Sequence, residues 1–172
     1  MKLLIPSAKE LNEQARIVEP QPLSENTKTI LQALKAFSLE ELATFYGISE
    51  ERALVEKERI GALLAGSAKT YPALELFDGL MYRSIERQDL SEKEQAYLQE
   101  HLLITTALYG VLPAYEGIAP HRLDFMMKLK PAGKSLKVLW KEGYDQAVEG
   151  EEQILSLLSS EFEQVFSKAI RE

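Results

Sequence analysis

Apolar residues along this chain recur mostly three and four positions apart, interrupted by short runs in which they stand side by side. Leu3, Leu4 and Ile5 are contiguous and closed by Pro6, which predicts a short buried strand over Lys2–Pro6. The proline-punctuated stretch from Glu19 to Ser24 reads as a surface loop. Ile30, Leu31, Leu34 and Phe37 then fall at helical spacing, predicting a helix over Thr27–Phe37 capped by Ser24 or Asn26. Ser38-x-x-Glu41 is a capping box that opens a second helix carrying Leu39, Leu42, Phe45 and Tyr46 and stopping at Gly47. Ser49 starts a third, over Glu50–Leu64, whose Glu56-Lys57-Glu58-Arg59 run is expected to face water.

Beyond these helices the pattern changes. Leu74, Leu76 and Phe77, bounded by Pro72 and Asp78-Gly79, predict a strand over Pro72–Phe77. A capping box at Ser91-x-x-Glu94 opens a helix to about Leu102. Ile104 to Pro113 is an apolar run with a glycine inside it, and His121 to Leu129 reads as a strand or extended segment ended by Pro131 and Gly133. Ser135 caps a helix with Leu136, Leu139, Trp140, Tyr144 and Ala147 on one stripe. Gln153–Leu158 predicts a buried strand, and Ser159 to Glu161 a final helix start. The sum is an α+β fold, mixed helices and short strands in one compact domain over residues 1–172.

Composition narrows the chemistry. With no cysteine, thiolate metal sites, Cys nucleophiles and thiol sensing are excluded. No window has the ~20 apolar residues that span a bilayer, and no leader is visible, so a cytoplasmic protein without membrane contact is expected. The net charge is −7, yet Arg122, Lys128, Lys130, Lys134, Lys137 and Lys141 stand against one acid, Asp124, so that His121–Lys141 is net +5 and the remainder −12. That asymmetry suits a local anion-binding face on an acidic protein, or a lysine-flecked solvated face.

Leu108, Tyr109, Gly110 and Val111 form an apolar-glycine-apolar turn of the kind a helix-hairpin-helix module presents to DNA phosphates, or a plain packing device. Ser7 and Lys9, after the first strand, are a candidate anion site lacking the glycines of a phosphate loop. A rival cluster for a small-molecule enzyme is Ser7, Lys9, Tyr82 and Arg122. His101 and His121 share no ligand spacing with a carboxylate, so no metal site or cofactor is expected. Asp78 reads as a turn residue and Asp124 as the ion partner of Arg122, while Tyr82, Tyr109 and Trp140 serve either base stacking or the core.

Five strings in order, Pro6-Ser-Ala-Lys-Glu-Leu-Asn12, Leu76-Phe-Asp-Gly-Leu-Met-Tyr82, Ala107-Leu-Tyr-Gly-Val-Leu112, Ala119-Pro-His-Arg-Leu-Asp124 and Leu139-Trp140, resemble the YaaA peroxide-stress family. The resemblance implies a family-specific α+β fold with a helix-hairpin-helix-like element near Leu108–Leu112 and a basic cleft. It also implies a non-enzymatic role in oxidative stress, binding duplex or distorted DNA without sequence specificity and keeping free iron low. Three positions depart from the family pattern: Glu10 replaces a hydroxyl residue, Phe77 stands where a lysine precedes the Gly-Asp pair, and Pro113 replaces an arginine. Members continue past the equivalent of Glu172, so a C-terminally truncated chain is expected, with an exposed strand near Leu155 through which it could form a homodimer.

Overall fold

The first strand forms where the apolar run stands, and everything else is arranged around it. In the computed structural model, which describes residues 1–172, β1 (Lys2–Pro6) lies between two parallel neighbours. A loop leads to α1 (Glu25–Lys35), α2 (Leu39–Tyr46) and α3 (Glu50–Ala65). Then come β2 (Tyr71–Pro72), the one-turn helices α4 (Ala73–Leu76) and α5 (Leu80–Arg83), and α6 (Glu92–His101). β3 (Leu102–Thr106), β4 (Gly110–Pro113) and β5 (Gly117–Ile118) precede a 3-10 turn at Pro131–Gly133. The chain finishes with α7 (Leu136–Ala147), β6 (Ile154–Ser156), α8 (Ser160–Glu163) and α9 (Lys168–Arg171).

The main sheet has the order β4-β3-β1-β6, with β1 parallel to β3 and β6, and β4 antiparallel to β3; β2 and β5 pair separately. Alternation along the strands sends side chains to two cores. Leu4 and Leu103 join a cluster with α1, α2, α3 and α7, whereas Ile5, Leu102, Ile104 and Leu112 join a second with Leu74, Leu76, Phe77 and Tyr82. Helices therefore cover both faces of the sheet, which is why β3 is buried at all five positions.

The capping signals act as read. Ser38 and Ser91 close both halves of their boxes, and Ser49 and Ser135 each accept a first-turn backbone N–H. Ser24, not Asn26, caps α1, accepting from Thr27 N at 3.1 Å. Gly47 ends α2 in the left-handed region at φ +63°.

Five sequence readings are corrected. The Glu56-Lys57-Glu58-Arg59 run does not face water as a whole, since Glu56 is buried and paired with Arg59 at 2.8 Å. The strand expected over Pro72–Phe77 is two residues of β2 followed by the turn of α4, because Arg87 Nη1 donates to both Leu74 O and Phe77 O at 2.6 Å and holds those carbonyls off any ladder. His121–Leu129 is irregular, since both edges of β3 are taken and the N–H of Met126 bonds Asp124 Oδ1 instead. The turn at Leu108–Val111 joins two antiparallel strands, not two helices, so the helix-hairpin-helix-like element does not form there. β6 is an edge strand rather than a buried one, with Leu155 52% and Leu157 54% exposed.

Candidate nucleic-acid interface

The Leu108–Val111 turn is built for packing. Tyr109 N–H donates to Thr106 Oγ1 at 2.8 Å, and Leu108 O accepts from Thr27 Oγ1 at 2.8 Å. The Tyr109 hydroxyl accepts from Ala119 N at 3.0 Å, and burial holds its pKa up at about 12. Gly110 has φ +79°, and a Cβ there would lie 2.6 Å from the Trp140 ring, so glycine is required by conformation and by space. Trp140 Nε1 in turn donates to Ala107 O at 2.8 Å. These donors are engaged inside the protein, and Tyr82, whose hydroxyl donates to Pro6 O at 2.7 Å, is likewise a core residue.

A glycine turn between two helices does exist elsewhere. α2 and α3 pack together through Gly47-Ile48-Ser49, with Ile48 N–H returning to Ala43 O at 3.0 Å. The signals for both helices stand in the sequence, and only their contact was not legible. Glu50 and Glu51 occupy the first turn of α3, which suits the helix dipole and repels phosphate.

The six cations of the basic segment do not act as one patch. Arg122 is half-buried beside Tyr46 and Glu56; burial raises the pKa of Glu56, and Arg59, at 2.8 Å, and Arg122 oppose it. Lys137 is half-buried and donates to Gln164 Oε1 at 2.8 Å. Lys141 is exposed and also forms no ion pair, but it shares a surface hollow with Glu142, Asp145 and Glu149. Lys128, Lys130 and Lys134 remain exposed, and none of the three forms an ion pair. They belong to a strap whose residues alternate: Met127, Leu129 and Pro131 turn into the protein, while Met126, Lys128 and Lys130 turn out.

Ser7 and Lys9 lie at the carboxyl end of β1, where Ser7 N–H donates to Thr105 O at 2.9 Å. Lys9 Nζ stands 3.4 Å from Asp124 Oδ2, so Asp124 pairs with Lys9 rather than with Arg122. Glu161 faces the same group: burial raises its pKa, Asp124 adds to the rise, and Lys9 and Lys137 oppose it. Asp78, read as a turn residue, also pairs with Arg87 at 2.7 Å and Arg83 at 3.6 Å. His121 is buried against Tyr109 and Phe77 with Nδ1 on Ala119 O at 2.9 Å, and burial pushes its pKa down to about 4. His101 lies far off at the end of α6, with Nδ1 3.0 Å from Met1 O. No helix is long and apolar enough to cross a membrane.

Comparison with known proteins gives one consistent result. The family profile described as "Peroxide stress protein YaaA" matches residues 1–172. The UPF0246 protein of Streptococcus gordonii strain Challis is 58% identical over 172 residues, covering 100% of this chain and 70% of that protein. Its counterpart in Streptococcus sanguinis SK36 is also 58% identical over 172 residues, covering 100% of this chain and 71% of that protein. UPF0246 protein spr1405 of Streptococcus pneumoniae R6 is 56% identical over 171 residues, covering 99% and 71%.

Proposed function

Because the chain belongs to the YaaA peroxide stress protein family, we propose that it serves the peroxide response as a non-catalytic DNA-binding protein that limits iron-dependent damage. The observation that carries this reading is the strap of Lys128, Lys130 and Lys134, three exposed and unpaired ammonium groups on an otherwise acidic protein. Lysines so placed neutralise phosphates without reading bases, and the affinity they supply comes from counterion release. The surrounding negative charge keeps the contact local and strongly salt-dependent. A fluorescence anisotropy titration with duplex DNA across a salt series, repeated for Lys128→Glu/Lys130→Glu, tests it. Binding indifferent to salt and to both reversals overturns the reading.

A second reading is favoured by the group at the carboxyl ends of β1 and β6, where Lys9, Asp124, Glu161 and Lys137 come together. Crevices at such strand ends commonly hold ligands. On this reading a small phosphate or carboxylate compound displaces the Lys9–Asp124 pair. Thermal stabilisation by inorganic phosphate or a nucleotide, lost in Lys9→Ala, distinguishes it from the first.

A further inference from the structure

Met126 is the large exposed apolar residue of the basic strap, with 73% of its surface open to solvent. Its base is held firmly. Phe125, one residue before, is buried edge-on against Tyr144 and Phe162 at 5.8 and 5.4 Å. Asp124 Oδ1 accepts the Met126 N–H at 2.9 Å, and Lys9 holds the other oxygen of that carboxylate at 3.4 Å. Met127 turns back toward the core and Leu129 is buried in it. A single exposed apolar side chain is ordinary on a protein surface. This one stands on a fixed turn, on the same outward alternation as Lys128 and Lys130, no more than ~7 Å per two residues along the backbone.

We infer that Met126 is a wedge: with Lys128 and Lys130 on the phosphates, its thioether side chain enters between two base pairs, unstacks that step and bends the duplex. The inference rests on the DNA-binding reading above and adds what the contact does to the DNA. An apolar side chain inserted between base steps, with cations alongside, is the device by which minor-groove proteins kink DNA, and such wedges bend it by roughly 20–90°. The unstacking cost is lowest at flexible pyrimidine–purine steps and at mismatches, so those sites are preferred without any base-specific hydrogen bond.

The test uses the whole chain with a short duplex labelled at both ends for energy transfer and carrying 2-aminopurine at a central TA step. Binding raises transfer between the ends and raises 2-aminopurine fluorescence. Met126→Ala removes both signals while leaving affinity for an unmodified duplex within about tenfold, because the lysine contacts to phosphate supply most of the affinity; Met126→Leu keeps both signals. Lys128→Glu/Lys130→Glu removes binding and signals together. Binding by the unaltered chain to a duplex that stays straight and stacked overturns this inference alone, and so does Met126-dependent binding to phosphatidylserine vesicles in place of DNA. Failure of the unaltered chain to bind any duplex at low salt overturns the DNA reading, and this inference with it.

Discussion

Lys9 Nζ lies 3.4 Å from Asp124 Oδ2, and this one pair ties the exit of the first strand to the head of the basic strap. The same carboxylate supports the backbone at Met126. Asp124 is buried whereas Lys9 is 74% exposed at its side chain, so the pair is screened and contributes no more than about 1 kcal/mol. Asp124→Asn keeps an oxygen for the Met126 N–H and releases the Lys9 ammonium. Expected outcomes are a melting temperature within a few degrees of the unaltered protein and a log K against log salt slope for DNA steeper by about 0.9, one more phosphate neutralised.

The strap itself sets the larger salt effect. If Lys128, Lys130 and Lys134 each cover one phosphate, affinity falls roughly 40-fold between 50 and 200 mM salt. Lys128→Glu/Lys130→Glu removes most of that dependence along with the binding, and a titration at several salt concentrations reads both. The fold is expected to be undisturbed, because both side chains are exposed and unpaired.

His121 makes stability depend on pH. Its folded pKa is depressed to about 4 by burial, below the ordinary value of 6.5. The unfolded chain therefore takes up a proton between these values that the folded chain refuses, so its contribution to stability is complete above pH 6.5 and is lost as pH falls toward about 4. About 2 kcal/mol is lost by pH 5. Urea unfolding at pH 7 and pH 5 measures it. His121→Phe, which preserves the aromatic contacts, is expected to remove that difference while giving up about 1 kcal/mol for the bond to Ala119 O.

Gly110 admits no side chain. Gly110→Ala places a methyl on the Trp140 ring at a positive φ, and a loss of roughly 2–4 kcal/mol is expected, a melting temperature lower by roughly 5–15 °C. Differential scanning calorimetry checks it. Gly133→Ala is the control, since Gly133 shares the positive φ at +78° but has open space around it, so its loss is smaller.

Local signals carried their elements and long-range ones did not. The caps at Ser38, Ser49, Ser91 and Ser135 are legible because cap and first turn lie within four residues of one another, and all four form. Residues Pro72–Phe77 have a strand-like pattern, but Arg87, ten residues or more away, takes two of their carbonyls. Leu108–Val111 has the apolar-glycine pattern of a turn from either a helical or a strand hairpin. Pairing of Thr106 with Gly110 and the Trp140 ring decide between them.

The sequence alone determined the α+β class, the first strand and capped helices, the absence of thiol chemistry, and the local excess of positive charge between His121 and Lys141. Each depends on residue identity or spacing within a few positions, which is where cap geometry and periodicity act. The tertiary structure decided which of those cations are free. Lys137 meets Gln164 and Arg122 comes beside Glu56, partners 27 and 66 residues distant, while the segment's one acid, Asp124, pairs with Lys9, 115 residues away. Charge counted along a chain adds without regard to such partners, whereas charge on a surface is what remains after folding has matched them. Here that remainder is Lys128, Lys130, Lys134 and Lys141, the last among Glu142, Asp145 and Glu149 and the first three with Met126 beside them.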